Sequence, residues 1–113
     1  MRSERDRLLD ILEAIEKIED RLPSSAARAF HNDELLQVWA LYHVQVIGEA
    51  AAHLSDELRA RHPNVPWADV ISMRNLLVHQ YFSIHLDQVW HTVVHDLPQL
   101  KALVQGELAS MSE

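Results

Sequence analysis

Between Leu8 and Leu22 the apolar residues Leu8, Ile11, Leu12, Ile15, Ile18 and Leu22 recur at steps of three and four, with acids and bases between them. A period near 3.6 gathers such side chains on one face of an α-helix, whereas a strand needs a period of two. The stretch from about Arg5 to Leu22 therefore reads as an amphipathic helix that must bury one face against other helices. Turn-forming material is scarce, with 2 glycines and 4 prolines in 113 residues. Helix-favouring Leu, Ala, Glu and Arg dominate instead, so an all-α fold is expected.

The rest of the chain continues this pattern. Pro23, Ser24 and Ser25 break the first helix, and a short helical turn through Ala26 to Phe30 can follow. Asn32 or Asp33 can cap a second helix running to about Leu54, in which Leu35, Leu36, Val38, Trp39, Leu41, Tyr42, Val44, Val46 and Ile47 point in nearly every direction. A chain of this size has little to cover such a helix on all sides, so part of it is expected in a homodimer interface; a helix threaded through a monomeric bundle is the alternative. Ser55, Asp56 and Glu57 start a short helix that His62 and Pro63 end. Pro66 suits the first position of a helix from Trp67 to about His79, and QYFSIHL then interrupts the pattern. Asp87 can start a last helix reaching about Gly106, kinked or split at Pro98, with a frayed tail beyond. Together these elements predict one domain over residues 1–113, an antiparallel bundle of four main helices plus a short one.

Composition narrows the function classes. Without cysteine the chain can form neither a disulfide nor a thiolate zinc site, and with a charged N-terminus a cytoplasmic protein is expected. The longest apolar stretch, Val38 to Ala52, is interrupted by His43, Gln45 and Glu49 and falls short of the ~20 residues of a membrane span. A net charge of −7 argues against a general polyanion binder, so any RNA contact must be local.

Chemistry concentrates in Arg74-Asn75-Leu76-Leu77-Val78-His79-Gln80-Tyr81. Arginine carries a permanent forked charge suited to phosphate oxygens, and histidine exchanges protons near neutral pH. For RNA, His79 can take the proton of a ribose 2′-hydroxyl while Arg74 steadies charge on the phosphoryl oxygens, a scheme that needs neither metal nor cofactor. On an ideal helix these two side chains lie about 140° apart and ~7.5 Å along the axis, whereas Asn75 and His79 share a face, so Asn75 could hold the imidazole. Alternatively the helix unwinds before His79. His91 with His95, which lack a third metal ligand, read as solvated surface, and the stripe Gln45, Glu49, His53 faces either a cleft or water, water being the simpler reading.

The pattern Arg-x4-His-x-Tyr in MRNLLVHQYF resembles the motif of HepT-like toxins of the HEPN superfamily. So do VIGEAA at 46–51, LSDELRARHPNVPW at 54–67 and LDQVWHTVVHDLPQL at 86–100. The resemblance implies a homodimeric, metal-independent ribonuclease toxin, paired with a nucleotidyltransferase antitoxin that transfers AMP to the motif tyrosine. Carried onto this chain, Arg74 and His79 would be catalytic, Asn75 supporting and Tyr81 the site of modification. A non-catalytic alternative is a nucleotide-binding or substrate-presenting subunit of a nucleotidyltransferase complex.

Overall fold

The computed structural model describes residues 2–22, 27–75 and 82–111. Among them there is no strand, and the all-α expectation holds.

Helix α1 (Glu4–Arg21) is fixed at its start by Ser3, whose hydroxyl accepts from the Asp6 amide at 3.1 Å while the Asp6 carboxylate accepts from the Ser3 amide at 3.0 Å. That backbone hydrogen bond, with the Ser3 hydroxyl, holds the Asp6 carboxyl below its ordinary range. Leu8, Ile11, Ala14, Ile15 and Ile18 form its buried face, as the spacing predicts. The short α2 (Ala27–Asn32) inserts Phe30 into the core, and Asp33 then caps α3 (Glu34–Ala52) by accepting from the Leu35 and Leu36 amides.

Helix α3 is the central element, packing against α1, α2 and the segments that follow. Its start lies beside the end of α1, where the Trp39 indole donates to the Lys17 carbonyl at 3.2 Å; its end lies beside the start of α1, where the Ser55 amide donates to Glu4 at 2.6 Å. The two helices are therefore antiparallel. Leu41, Val44 and Ile47 of α3 are buried in the core, and truncating Leu41 or Ile47 to alanine should cost ~2–5 kcal/mol. Leu35, Val38 and Tyr42 of α3 remain exposed, with Leu9 of α1 also at the surface.

Ser55 caps α4 (Asp56–Ala60), and the loop beyond it is tied down by Trp67, whose indole N–H is shared between the Arg59 and His62 carbonyls. Helix α5 (Trp67–Ser72) is shorter than the sequence predicts. Pro66 occupies its cap position rather than its first turn, and the chain tightens into a 3-10 turn at Met73–Asn75.

The final helical segment departs from expectation in three places. Helix α6 (Phe82–His91) begins before Asp87, whose carboxylate pairs with His31 of α2 at 2.9 Å instead of capping a helix. Helix α7 (Leu97–Met111) follows after a π-helical turn at Thr92–Asp96. Pro98 lacks an N–H and its ring would strike the Val94 carbonyl in a regular helix; the wider turn removes that collision, so Pro98 loosens the helix without ending it. Gly106 does not end it either. Leu100 and Val104 are buried against the core, and Glu107 binds Arg61 and His62 at 2.7 and 2.8 Å, so tertiary contacts on both sides of Gly106 hold the helix through to Met111.

Candidate functional site

The groove that holds Arg74 begins with Gly48. In the midst of α3, this residue faces the turn after α5 so closely that a Cβ placed on it would lie 2.8 Å from both the Arg74 amide nitrogen and the Val70 carbonyl oxygen. No side chain fits there, so α3 and the Arg74 backbone are in direct contact. Glycine here serves close approach, and it sets where the guanidinium starts.

One residue on, the Glu49 carboxylate meets the His53 imidazole and the Arg74 guanidinium. Its Oε1 lies 2.9 Å from His53 Nε2 and its Oε2 lies 3.9 Å from Arg74 Nη1. At 3.9 Å the second contact is an ion pair and not a hydrogen bond, so the guanidinium is oriented while its N–H donors stay available. Arg74 is 40% exposed and Glu49 54%, which leaves both accessible to a ligand from solvent.

These side chains line a groove of about 380 Å³ with Arg7, Asp10, Tyr42, Gln45, Val46 and Ala50. Helix α3 runs along it, with α1 contributing Arg7 and Asp10 on one side and the 3-10 turn contributing Arg74. The Oε1 atom of Gln45 is buried with no hydrogen-bond partner among the described residues. The polar stripe expected to face water thus lines a groove over Gln45 and Glu49, while His53 is held from outside. A four-residue polar spacing on an otherwise apolar helix was the available signal. Arg7 carried none, since an arginine on the polar face of an amphipathic helix is unremarkable in sequence.

The groove continues along α3 into a second depression of about 190 Å³, lined by Asp10, Glu13, Ala14, Lys17, Tyr42, His43 and Val46. His43 is buried, edge-on to Trp39 at 4.5 Å and to Tyr42 at 5.0 Å, and its Nε2 has no hydrogen-bond partner among the described residues. Burial pushes its pKa down, reinforced by the charge of Lys17 and opposed by Glu13, so the imidazole is neutral at pH 7.

Of the four motif residues, Arg74 and Asn75 are on the 3-10 turn, Arg74 in the groove and Asn75 exposed. The chain at Met73–Asn75 is a 3-10 turn, and the register between Asn75 and His79, like any unwinding before His79, lies outside the described residues. His79 and Tyr81 lie outside the described residues. His91 and His95 are exposed with ring centroids 4.4 Å apart, and among the described residues no three metal-ligating side chains come together.

Residues 11–106 match a family model described as Ribonuclease HepT-like. A protein of Thermococcus cleftensis named "Probable ribonuclease HepT" is 36% identical over 100 residues, covering 88% of this chain and 91% of its own length. Two further relatives are each named as a candidate RNase. The one from Methanocaldococcus jannaschii is 31% identical over 87% of this chain and 90% of its own length, and the one from Caldanaerobacter subterraneus subsp. tengcongensis is 30% identical over 93% and 94%. No solved structure gives a significant match.

Proposed function

This chain belongs to the Ribonuclease HepT-like family, and from that premise we propose that it is a metal-independent endoribonuclease acting through Arg74 and His79. The observation that carries the reading is a guanidinium held at a groove by a backbone contact to Gly48 and a long ion pair to Glu49, with none of its donors hydrogen-bonded to a described residue. In the reaction, His79 removes the proton of a ribose 2′-hydroxyl and the freed oxygen attacks the adjacent phosphorus. The 5′-oxygen of the next nucleotide departs and takes up a proton, leaving a 2′,3′-cyclic phosphate. Arg74 binds the phosphoryl oxygens, whose negative charge concentrates in the transition state. Asn75, beside Arg74 in sequence, supports the imidazole.

The working form is a homodimer. Leu35, Val38 and Tyr42 form an exposed row on α3 at steps of three and four, and Tyr42 also lines the groove, so a second copy on this row would sit beside the site. In this reading the protein is the toxin of a cytoplasmic toxin-antitoxin pair, silenced by a nucleotidyltransferase that transfers AMP to Tyr81. A bulky, charged adduct two residues from His79 would block a phosphate-binding groove by size and by repulsion.

Cleavage of RNA in excess EDTA tests the proposal. Wild-type protein should cut, and Arg74→Ala and His79→Ala should each lose at least ~100-fold in rate while remaining folded and dimeric. Intact RNA with clean wild-type protein refutes the nuclease; binding of ATP without cleavage would support the nucleotide-binding alternative. Intact-mass measurement after coexpression with the nucleotidyltransferase should show added AMP units that Tyr81→Phe abolishes.

A further inference from the structure

We propose that the groove carries a second phosphate site, in which Arg7 of α1 holds a phosphate neighbouring the one bound by Arg74. The inference rests on the ribonuclease reading and adds a substrate contact to it. Both guanidiniums line the same groove, reaching it from elements that pack on different parts of α3. Its two carboxylates are already engaged: Asp10 by Arg2, and Glu49 by His53 and Arg74. Arg7 differs from its neighbours. Its backbone amide completes the first turn of α1, but this half-buried residue makes no side-chain ion pair or hydrogen bond with any described residue.

A cation on a half-buried residue and left without a carboxylate is a place where an anion gains more than on open surface. The anion must be small or extended enough to lie along α3, where Tyr42 to Ala50 span ~12 Å at 1.5 Å per residue. Adjacent phosphates of a single RNA strand meet both conditions. A chain of net charge −7 has no broad attraction for RNA, so two fixed guanidiniums in one groove would supply both affinity and register. The site selects a strand that extends past the cut bond.

The test is binding of a fluorescent 2′-O-methyl oligoribonucleotide, which lacks the attacking hydroxyl, followed by anisotropy from 50 to 300 mM salt. One lost phosphate contact lowers the slope of log affinity against log salt by about 0.7 for a single strand, which is about fivefold in affinity at 0.1 M salt. Arg7→Ala should show both changes, and Arg7→Lys, which keeps the charge, should retain the wild-type slope. An unchanged slope in Arg7→Ala, an equal loss in Arg7→Lys, or no binding by wild-type protein overturns the phosphate site. Cleavage of unmodified RNA, measured alongside, reports separately on the nuclease: strand binding with the expected slopes but no cutting would retain the site and remove the reaction.

Discussion

The two glycines of the chain allow one chemical change to be made at two helical positions with opposite expected outcomes. At Gly106 an added Cβ meets nothing within 4 Å, so Gly106→Ala should gain the helix propensity difference of ~1 kcal/mol. For 113 residues that corresponds to a rise in Tm of about 4 °C. At Gly48 the same Cβ would stand 2.8 Å from two backbone atoms, whereas ordinary contact begins at 3.4 Å, so α3 and the Arg74 turn must separate by 3.4 − 2.8 = 0.6 Å. Overpacking of this kind costs ~1–3 kcal/mol, which offsets the propensity gain and leaves a net loss of up to ~2 kcal/mol. Activity should suffer more than stability. Displacement by about 1 Å can cost 100-fold, so a shift of this size at Arg74 should slow cleavage at least tenfold in protein that is still folded. Thermal unfolding and RNA cleavage on the two variants decide it. A Gly48→Ala variant with wild-type Tm and wild-type rate would show that the close approach does not position Arg74, and a destabilised Gly106→Ala variant would undo the reasoning about space.

His43 is buried neutral with its pKa pushed below 6.5, so the unfolded chain binds more protons below that pH and stability declines as pH falls from about 6.5 toward the lowered value. His43→Leu should flatten that decline in urea titrations between pH 7 and 5.5; an unchanged slope would refute it. His31 has the opposite sign, because the Ala27 carbonyl and Asp87 favour its charged form, and its contribution is present below 6.5 and fades as pH rises through the raised value. Glu107, held below its ordinary range by Arg61 and then His62, should lose its contribution only as pH falls below 4.5, and Glu107→Gln should cost about 1 kcal/mol at pH 7 with no further loss over that acid range. Placing charge on the exposed row with Val38→Glu should yield monomer in sedimentation at micromolar concentration without lowering helicity; a persistent dimer would move the interface elsewhere.

The sequence alone determined what local physics can determine. Spacing at 3.6 residues set α1 and its buried face, Asp33 and Ser55 marked helix starts through their own side chains, and the motif around Arg74 named one wall of a groove. Where a residue's role depended on a distant partner, local signals misled. Asp87 looked like a cap until His31 claimed it, Gly106 looked like a stop until Glu107 and the core held the helix past it, and Gln45 looked solvated until α1 and the Arg74 turn made it part of a groove wall on which Glu49 stays exposed. Only the tertiary structure joined Arg7 to Arg74 and showed that Gly48 must be glycine. Such assignments rest on which surfaces of separate helices come within a few ångströms of each other, and a period along the chain carries no record of that distance.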